Sequence, residues 1–278
     1  MDAVITYVNG ADPLWQAQYA AFSGKEPPRR FRDWGMLPLQ IRNIRRYLPF
    51  VEKIFLVVAL PSQVPEGLPE DVEVILHKEI IPEKFLPTFN STAIEMFLHR
   101  IPGLDDRYLY INDDCIPVMP CTEEDFFEGN RIVKGFSRHL FAPNLYKKRT
   151  RNADRLARRA ARRLWSPVFL RPQHTVSPML RTACEDVFEK KRKQIEASIS
   201  PTREGKNINQ YLFLDYMYHV GMAVNRRLSS RHISLAAIRP KALASFLRNP
   251  DRKWVCINDV DLPEKRLAAF RRVTEDCL

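Results

Sequence analysis

The sequence predicts an α/β protein with a Rossmann-like core, built on a mixed or mostly parallel sheet. Strand-like apolar runs recur through the first half of the chain, and segments with helical spacing separate them. Apolar residues make up 45% of the 278 positions, which is enough to bury a large core. We therefore expect one compact domain over 1–278, with a helical insertion at about 141–220.

The early elements follow in chain order. The run AVITYV at 3–8 predicts the first strand, and LQIRNIRRYL at 39–48 predicts a helix, because its apolar residues recur on one face. KIFLVVAL at 53–60 and VEVILH at 72–77 predict two further strands. NSTAIEMFLHRI at 90–101 begins with residues typical of a helix N-cap, so we expect a helix that leads into the strand YLYI.

Three polar residues follow the YLYI strand directly: Asn112, Asp113 and Asp114. Ligands of open parallel sheets bind beyond the carboxyl ends of the strands, so these side chains are expected at the rim of a binding site. Adjacent carboxylates suit a hard cation such as Mg²⁺, which takes its other oxygens from substrate phosphates. The alternative is an ordinary surface turn, since Asn and Asp are common turn residues.

Other polar stretches could belong to the same site. TYVNGADP ends a strand with Asn9, Gly10 and Asp12, and KWVCINDVDL repeats the Asn-Asp pair at 258–259. His174 lies in a proline-rich loop, RPQHTVSPML. Each has a simpler explanation, namely a β-turn, a strand end or a structural histidine.

Charge and composition limit the classes of partner. The formal net charge of +11 favours polyanions such as nucleic acid, acidic lipids, nucleotides or phosphate-bearing polymers. The five cysteines show no zinc-binding spacing, which fits reduced thiols in a cytoplasmic protein. The sequence contains no apolar run long enough to span a membrane and begins without a signal-peptide pattern, so we expect no export.

The segment 147–163, KKRTRNADRLARRAARR, carries nine basic residues and one acidic residue. Its apolar residues form a narrow stripe, which predicts a basic amphipathic helix. Such a helix could be a solvated face, could hold a phosphate-bearing acceptor chain, or could dock on the anionic inner face of the cytoplasmic membrane.

Four stretches resemble the signatures of the Stealth family, which includes bacterial capsular polysaccharide phosphotransferases and the animal lysosomal-enzyme N-acetylglucosamine-1-phosphotransferase. They are DAVITYVNGADP; RFRDW followed by HKEIIPEKFLPTFNSTAIEMFLHRIPGLDDRYLYINDD; QHTVSPMLRTACEDVFE; and TREGKNINQYLFLDYMYHVG followed by KWVCINDVDL. The resemblance spans nearly the whole chain and implies a glycosyltransferase-like sheet.

The resemblance implies transfer of a hexose 1-phosphate, with N-acetylhexosamine 1-phosphate the expected group, from a UDP-sugar to a hydroxyl of a polysaccharide or oligosaccharide acceptor. UMP would leave, and Mg²⁺ or Mn²⁺ would assist. The family's polar motif residues fall on Asn9, Gly10, Asp12, Arg32, Asp33, Asn90, Ser91, Glu95, His99, Arg100, Asn112, Asp113, Asp114, His174, Arg203, Asn258 and Asp259.

Roles follow for some of these residues. We expect His174 to act as general base, with Asp114 or Asp259 as further catalytic candidates, and Arg203 to stabilise charge on the transferring phosphate. Asp113 and Asp114 are the expected metal ligands, and the other motif residues are expected to bind substrate. The chain departs from the family pattern at 35–38, GMLP, where members usually carry a more polar stretch.

Two other functions stay open at this point. One is a metal-dependent glycosyltransferase that releases UDP. The other is a non-catalytic polyanion-binding protein that uses segment 147–163. We expect no specific nucleic-acid binding, because carboxylates at the ligand rim would repel a phosphate backbone unless a metal intervened.

Overall fold

The computed structural model of the protein describes residues 1–25, 28, 31–258 and 262–278. The strands are β1 (Asp2–Thr6), β2 (Ile54–Val58), β3 (Val72–Leu76), β4 (Arg107–Asn112), β5 (Cys115–Pro117), β6 (Phe127–Glu128), β7 (Arg131–Lys134), β8 (Phe136–His139), β9 (Phe169–Pro172), β10 (Ser177–Leu180), β11 (Ala223–Asn225), β12 (Ser230–Ser234) and β13 (Trp254–Asn258). The helices are α1 (Pro13–Ser23), α2 (Leu37–Tyr47), α3 (His77–Ile80), α4 (Ser91–Glu95), α5 (Leu145–Ala160), α6 (Arg181–Ser198), α7 (Tyr211–His219), α8 (Pro240–Arg248) and α9 (Glu264–Cys277).

The main sheet has the strand order β10-β4-β1-β2-β3. Strands β1 to β4 run parallel, and β10 pairs antiparallel with β4 at the edge. All five residues of β2, IFLVV, are buried, as expected for a parallel strand covered on both faces. The predicted α/β class with a mixed, mostly parallel sheet is confirmed, as are the four strands predicted within it.

A second, smaller sheet has the order β12-β13-β5. β13 runs parallel to β12 and antiparallel to β5, and its core cluster includes Leu243 and Phe246 of α8 with Leu267 and Phe270 of α9. The strand predicted from KWVCINDVDL is therefore confirmed, but it belongs to a different sheet from β4. The two smaller pairings are β11-β7-β6 and β8-β9.

The helix predicted at 39–48 is confirmed as α2. Its apolar face, with Leu37, Ile41 and Ile44, is buried in the main core. The helix predicted at 90–101 was wrong in length. The α-helix ends at Glu95, and the chain then turns through a short 3₁₀ segment, Leu98–Arg100. Phe97 and Leu98 are both buried although the helix has ended, so their apolar spacing reflects burial in the core and not a continuous helix.

The predicted basic helix forms as α5 and is part of the folded body. Its Ala153, Leu156 and Ala157 are buried in the main core. The carboxylate of Asp154 is also buried, and it lies 2.7 Å from Nε2 of His219 on α7 and accepts from Nε of Arg158 at 2.8 Å. The range 141–220 contains α5, α6 and α7, and also β10 of the main sheet. The boundaries of the single domain and of the insertion stay predictions.

No helix in the described ranges is both long enough and apolar enough to cross a membrane.

Candidate active site

A cleft of about 980 Å³ opens where strand ends of the two sheets meet. In the main sheet Thr6 of β1 pairs with Asn112 of β4, and in the small sheet Ser234 of β12 pairs with Asn258 of β13. All four residues line the cleft. The carboxyl ends of four parallel strands therefore form one site, the usual position for a ligand in this fold class.

The turn that carries Asp113 and Asp114 joins the two sheets. β4 ends at Asn112 in the main sheet, and β5 begins at Cys115 in the small one. The buried amide of Gln40 donates to the carbonyls of both Asn112 and Cys115, each at 2.7 Å. Asp113 and Asp114 therefore lie where the chain passes from one sheet to the other, and the Gln40 amide holds this turn in place.

His174 and Asp114 form the central pair of the cleft. Nε2 of His174 lies 3.0 Å from Oδ2 of Asp114. Burial alone would raise the pKa of Asp114, but the hydrogen bond and charge of His174 bring the pKa of that carboxyl below its usual value. Burial likewise opposes charge on His174, and the Asp114 carboxylate reverses this effect and raises the pKa of the imidazole. The two groups therefore stabilise each other's charged form.

His232 contacts His174 in two ways, by ring stacking and by a hydrogen bond. The imidazoles of His174 and His232 stack with centroids 5.3 Å apart. Nε2 of His232 donates to the backbone carbonyl of His174 at 2.7 Å, and its Nδ1 lies 3.3 Å from the amide of Asn258. Since a carbonyl only accepts, His232 carries its proton on Nε2 and can remain neutral. Burial, together with the nearby charge of His174, lowers the pKa of His232.

A buried lysine fixes the backbone that follows His174. Nζ of Lys134 donates to the carbonyls of Thr175 at 3.2 Å and Val176 at 2.7 Å, and to Oγ of Ser177 at 3.2 Å. Lys134 is fully buried, and burial lowers the pKa of its ammonium group to about 7. Three hydrogen bonds from one side chain hold the loop between β9 and β10 against β7.

Asp113 projects into the cleft beside two other carboxylates. Its side chain is open to solvent on the cleft side, yet the cleft walls surround it elsewhere. This desolvation, with the charges of Asp114 and Asp33, raises the pKa of Asp113 to about 7. No side chain in the described ranges donates a hydrogen bond to it. A group of carboxylates that repel one another in this way favours a bound cation.

Arg203 supplies positive charge to the cleft. Its guanidinium donates to Oγ of Ser91 at 2.8 Å and remains exposed to the cleft. The loop of Arg203 is held by Asn90, whose buried amide donates to the carbonyls of Ser200 and Thr202 and to the side chain of Asn207. Asn90 also caps α4 by accepting from the backbone of Thr92. Asn90 thus acts by positioning the loop of Arg203.

Glu95 is a buried carboxylate in the wall of the cleft. It accepts from the backbone N–H of Gln210 at 2.8 Å. Burial raises the pKa of Glu95 to about 7, while the hydrogen bond and the charges of Arg203 and Arg149 act in the opposite direction. Arg149 comes from α5 and also lines the cleft. Helix α5 therefore contributes directly to the site.

Comparison with known proteins decides the family. Residues 30–134 match the family model described as Stealth protein CR2, conserved region 2. The chain is 30% identical to a capsular polysaccharide phosphotransferase of Haemophilus influenzae, over 93% of this chain and 78% of that protein.

The chain belongs to the Stealth family.

Other relatives agree with this assignment. The Stealth chain is 26% identical to a capsular polysaccharide phosphotransferase of Actinobacillus suis, over 93% of this chain and 76% of that protein. It is 31% identical to an exopolysaccharide phosphotransferase of Streptomyces coelicolor, over 97% of this chain and half of that protein. The predicted family is confirmed, and so is the prediction that the chain is an enzyme of the phosphotransferase class.

One solved structure is similar across the whole chain. It is the galactosyltransferase LgtC, in complex with donor and acceptor sugar analogues. The TM-score is 0.42 with 11% sequence identity, and the match covers 100% of this chain and 96% of that one.

Ten residues of the family pattern line the cleft of this Stealth protein. They are Arg32, Asp33, Ser91, Glu95, Asn112, Asp113, Asp114, His174, Arg203 and Asn258. Asp33 accepts from the hydroxyl of Tyr7 at 2.7 Å, and Arg32 donates to the carbonyl of Leu262 at 2.8 Å. Asp259, a catalytic candidate, lies outside the described residues.

Three residues of the first Stealth signature, Asn9, Gly10 and Asp12, build a turn next to the strand end and do not line the cleft. Asp12 caps α1 by accepting from the backbone of Leu14 at 3.0 Å, and it also accepts from Oγ of Ser62 at 2.7 Å. Asn9 accepts from the backbone of Ala11. Gly10 lies so close to Phe31 that a Cβ there would come within 2.3 Å of the Phe31 carbonyl oxygen. These residues were predicted to bind substrate, and the structure places them outside the cleft wall.

His99 and Arg100 also lie away from the cleft. The His99 ring is buried between Phe188 at 5.0 Å and Phe213 at 5.9 Å, and burial lowers its pKa to about 3. The Arg100 guanidinium lies 4.8 Å from the centroid of the Phe188 ring. The α-helix α4 ends at Glu95, so His99 and Glu95 do not share a helix face.

Three residues that support the site were not predicted from the sequence. Gln40, Lys134 and His232 act through hydrogen bonds to segments between 41 and 75 positions away. The sequence did offer a signal for two of them. Lys134 ends the strand RIVK and Gln40 lies on the apolar face of α2, and polar side chains are seldom buried without hydrogen-bond partners.

The donor set of the cleft fits a hard cation at Asp113. Among the described residues, Asp114, Cys115 and His174 place ligand atoms within 4.8 Å of one another. This group does not suit Mg²⁺, because burial raises the pKa of the Cys115 thiol well above its usual value and Mg²⁺ prefers oxygen. The oxygens of Asp113 and Asp114 do suit it. Desolvation and the charge of Asp114 both raise the pKa of Asp113, and a cation would favour its charged form.

Proposed function

We propose that this chain transfers a hexose 1-phosphate from a UDP-sugar to a hydroxyl group of a polysaccharide or oligosaccharide acceptor, releases UMP, and acts in the synthesis of a capsular or extracellular polysaccharide. The observation that carries the proposal is the His174–Asp114 pair, which lies in one cleft with the carboxylate of Asp113 and the guanidinium of Arg203. The names of the relatives support the acceptor class.

In the proposed reaction His174 removes the proton of the acceptor hydroxyl. A carboxylate can only accept, so neutral His174 carries its proton on Nε2, which donates to Asp114. Nδ1 then holds the lone pair that takes the acceptor proton. Asp114 orients the ring and stabilises the imidazolium that forms, so the attacking oxygen gains charge as it approaches phosphorus.

The donor diphosphate needs positive charge in a cleft that contains several carboxylates. Arg203 can bind phosphate oxygens in pairs through its planar guanidinium, and Arg149 adds charge from α5. Asp113 and Asp114 would hold Mg²⁺ or Mn²⁺. The bound cation would neutralise the diphosphate and the leaving UMP.

The carboxylates argue against a simple polyanion-binding protein. Asp33, Asp113 and Asp114 face the cleft together, and they would repel an acidic polymer in the absence of a metal.

The identity of the sugar, and the expected N-acetylhexosamine in particular, rests on the family resemblance. A cytoplasmic location likewise remains a prediction from the cysteine pattern.

The test is a donor and acceptor panel. Purified protein is incubated with UDP-hexoses, UDP-N-acetylhexosamines and capsule-type oligosaccharides in the presence of Mg²⁺, and the released nucleotides are separated by chromatography. The proposal predicts acceptor-dependent release of UMP with at least one donor, and loss of that release in Asp114→Asn. Acceptor-dependent release of UDP would instead support a glycosyltransferase.

A further inference from the structure

The three most exposed large apolar side chains of the described residues lie just before and just after α5. Leu164, Phe141 and Trp165 are 89%, 75% and 72% exposed, and Leu140 is 50% exposed. They lie in the two connections that flank α5, outside the cleft. Exposed groups of large apolar residues on a folded protein mark interaction surfaces.

The β8-β9 ladder brings these two connections to the same place. His139 of β8 pairs with Phe169 of β9, so Leu140 and Phe141 leave the ladder at the end where 161–168 enter it. The guanidinium of Arg163 donates twice to the carbonyl of His219 at 3.0 and 2.8 Å, which anchors the second connection to the end of α7. We call the surface formed by Leu140, Phe141, Leu164, Trp165, Arg159 and Arg162 the basic-apolar tip.

The tip is strongly positive. Arg159 and Arg162 are exposed beside the apolar side chains. The stretch 138–168 contains a single acidic residue, Asp154, which is buried and paired with His219 and Arg158. The positive charge is therefore not balanced by acidic side chains of the same stretch.

We propose that the basic-apolar tip docks this protein on an anionic lipid surface. Arginine beside exposed Trp, Phe and Leu combines attraction to acidic head groups with insertion into the boundary of the acyl chains. An acidic polysaccharide would use the charges but would leave four apolar side chains in water. A second copy of the chain, docked through the same surface, would bring arginine against arginine.

Docking at the tip leaves the active site accessible. The cleft residues Tyr146 and Arg149 lie in the first turns of α5, whereas Arg159 lies in its last turn. At 1.5 Å per residue, the ten positions from Arg149 to Arg159 correspond to about 15 Å along the helix. A lipid surface at one end of α5 would therefore hold the cleft within about 15–20 Å of the membrane without covering it.

Trp165 gives a direct test on the unmodified protein. The chain has four tryptophans, and the other three, Trp15, Trp34 and Trp254, are buried. Titration with vesicles of phosphatidylglycerol and phosphatidylcholine should therefore shift the fluorescence of Trp165 to shorter wavelength and protect it from acrylamide. Vesicles of phosphatidylcholine alone should give a much smaller change, and salt should weaken the response.

Variants separate the apolar and charged contributions. The triple variant Phe141→Ser, Leu164→Ser, Trp165→Ser should lower co-sedimentation with anionic vesicles by at least about 10-fold. Leu14→Ser with Phe22→Ser, two exposed apolar residues of α1, is the matched control and should bind like the wild type. Arg159→Glu with Arg162→Glu should weaken binding by about 10- to 100-fold. The same reversal at Lys241 and Arg248, exposed on α8, should have little effect.

Three outcomes would overturn the proposal. The first is a Trp165 spectrum that does not respond to anionic vesicles. The second is equal vesicle binding by the triple variant, with its fold verified by circular dichroism. The third is self-association of the wild type, abolished by the triple variant and seen without vesicle binding, which would assign the tip to a second copy. These outcomes do not depend on which nucleotide is released, so failure of the docking proposal would not contradict the proposed activity.

Discussion

Nε2 of His174 lies 3.0 Å from Oδ2 of Asp114, although 60 positions separate them in the chain. Asp114 comes from the junction between the two sheets, and His174 comes from the loop between β9 and β10. Each raises the stability of the other's charged form. The pair unites the two strongest sequence candidates for catalysis in one hydrogen bond.

The first prediction concerns this pair as a unit. His174→Ala and Asp114→Asn should each lower kcat by roughly 100- to 10,000-fold, because one removes the base and the other leaves its ring unoriented. The double variant should lose little more than His174→Ala alone, since the two residues act on one proton transfer. Steady-state kinetics of the three variants measures this coupling.

His139→Ala is the control for His174→Ala. His139 is half-buried and lies on β8 outside the cleft, so its loss should leave kcat near the wild-type value. If His174→Ala lowered the melting temperature but kept normal turnover per folded molecule, His174 would be a structural residue. Additive losses in the double variant would show that His174 and Asp114 act separately.

The second prediction concerns Lys134 as a positioning residue. Lys134→Met keeps the length of the side chain but leaves the carbonyls of Thr175 and Val176 without their donor. The loop of His174 should then be less well ordered, and kcat should fall by about 10- to 100-fold while the KM for the donor changes little. A loss of stability of about 1–3 kcal/mol is also expected from the unpaired groups.

A purely structural lysine would behave differently. Its loss would lower stability and leave the kcat of the folded fraction unchanged. Lys190→Met is a useful comparison, because that exposed lysine on α6 donates to Asp186 and Tyr216 and not to the His174 loop. It should alter neither kcat nor the donor KM.

The third prediction concerns the metal. EDTA should abolish transfer, and Mg²⁺ or Mn²⁺ should restore it. Asp113→Asn should raise the metal concentration needed for half-maximal activity by at least about 10-fold, because the variant loses one anionic ligand. Titration of activity with metal measures this, and metal binding to the protein without substrates gives a second readout. Full activity in EDTA would remove the metal from the proposal.

The fourth prediction concerns His99, which was expected at the site and lies in the core. Its folded pKa of about 3 is below the value of about 6.5 in the unfolded chain, so the unfolded state binds a proton first as the pH falls. The stability from neutral His99 is complete above about pH 6.5 and is lost between about pH 6.5 and 3. This loss is about 2 kcal/mol between pH 7 and 5.

His99→Phe should flatten this pH dependence and leave activity nearly unchanged. Denaturant unfolding of both proteins at pH 7 and 5 compares the slopes. Because burial also lowers the pKa of His77, to about 4, the variant should keep part of the dependence. An unchanged slope, or a kcat reduced 100-fold, would contradict the assignment of His99 to the core.

The sequence predicted the main strands because β1, β2 and β4 each contain an apolar run, AVI, IFLVV and YLYI, a pattern typical of buried parallel strands. It predicted a site at Asp113 and Asp114 because they follow a strand at the edge where ligands of parallel sheets bind, and because this stretch resembles a Stealth signature. It could not predict that Asn112 and Asn258 belong to different sheets, since pairing between distant strands leaves no local signal.

The prediction of a helix over 90–101 was wrong in length for a related reason. Its apolar spacing was helical, but the buried positions of Phe97 and Leu98 follow from packing in the main core. Gln40 and Lys134 were missed because their roles depend on carbonyls that only the folded chain brings near. His174 and Asp114 were candidates from the sequence alone, whereas Gln40 and Lys134, which hold the segments that carry them, were not.

The fate of the donor phosphorus next to the sugar distinguishes transfer of a sugar 1-phosphate from transfer of the sugar alone. A UDP-sugar labelled at that phosphorus is incubated with protein, metal and acceptor, and the label is followed into acceptor or nucleotide. We expect label in the acceptor as a phosphodiester and release of unlabelled UMP, with both products formed at least about 100-fold more slowly by His174→Ala. Label that leaves entirely as UDP, with sugar alone on the acceptor, would contradict the proposed function.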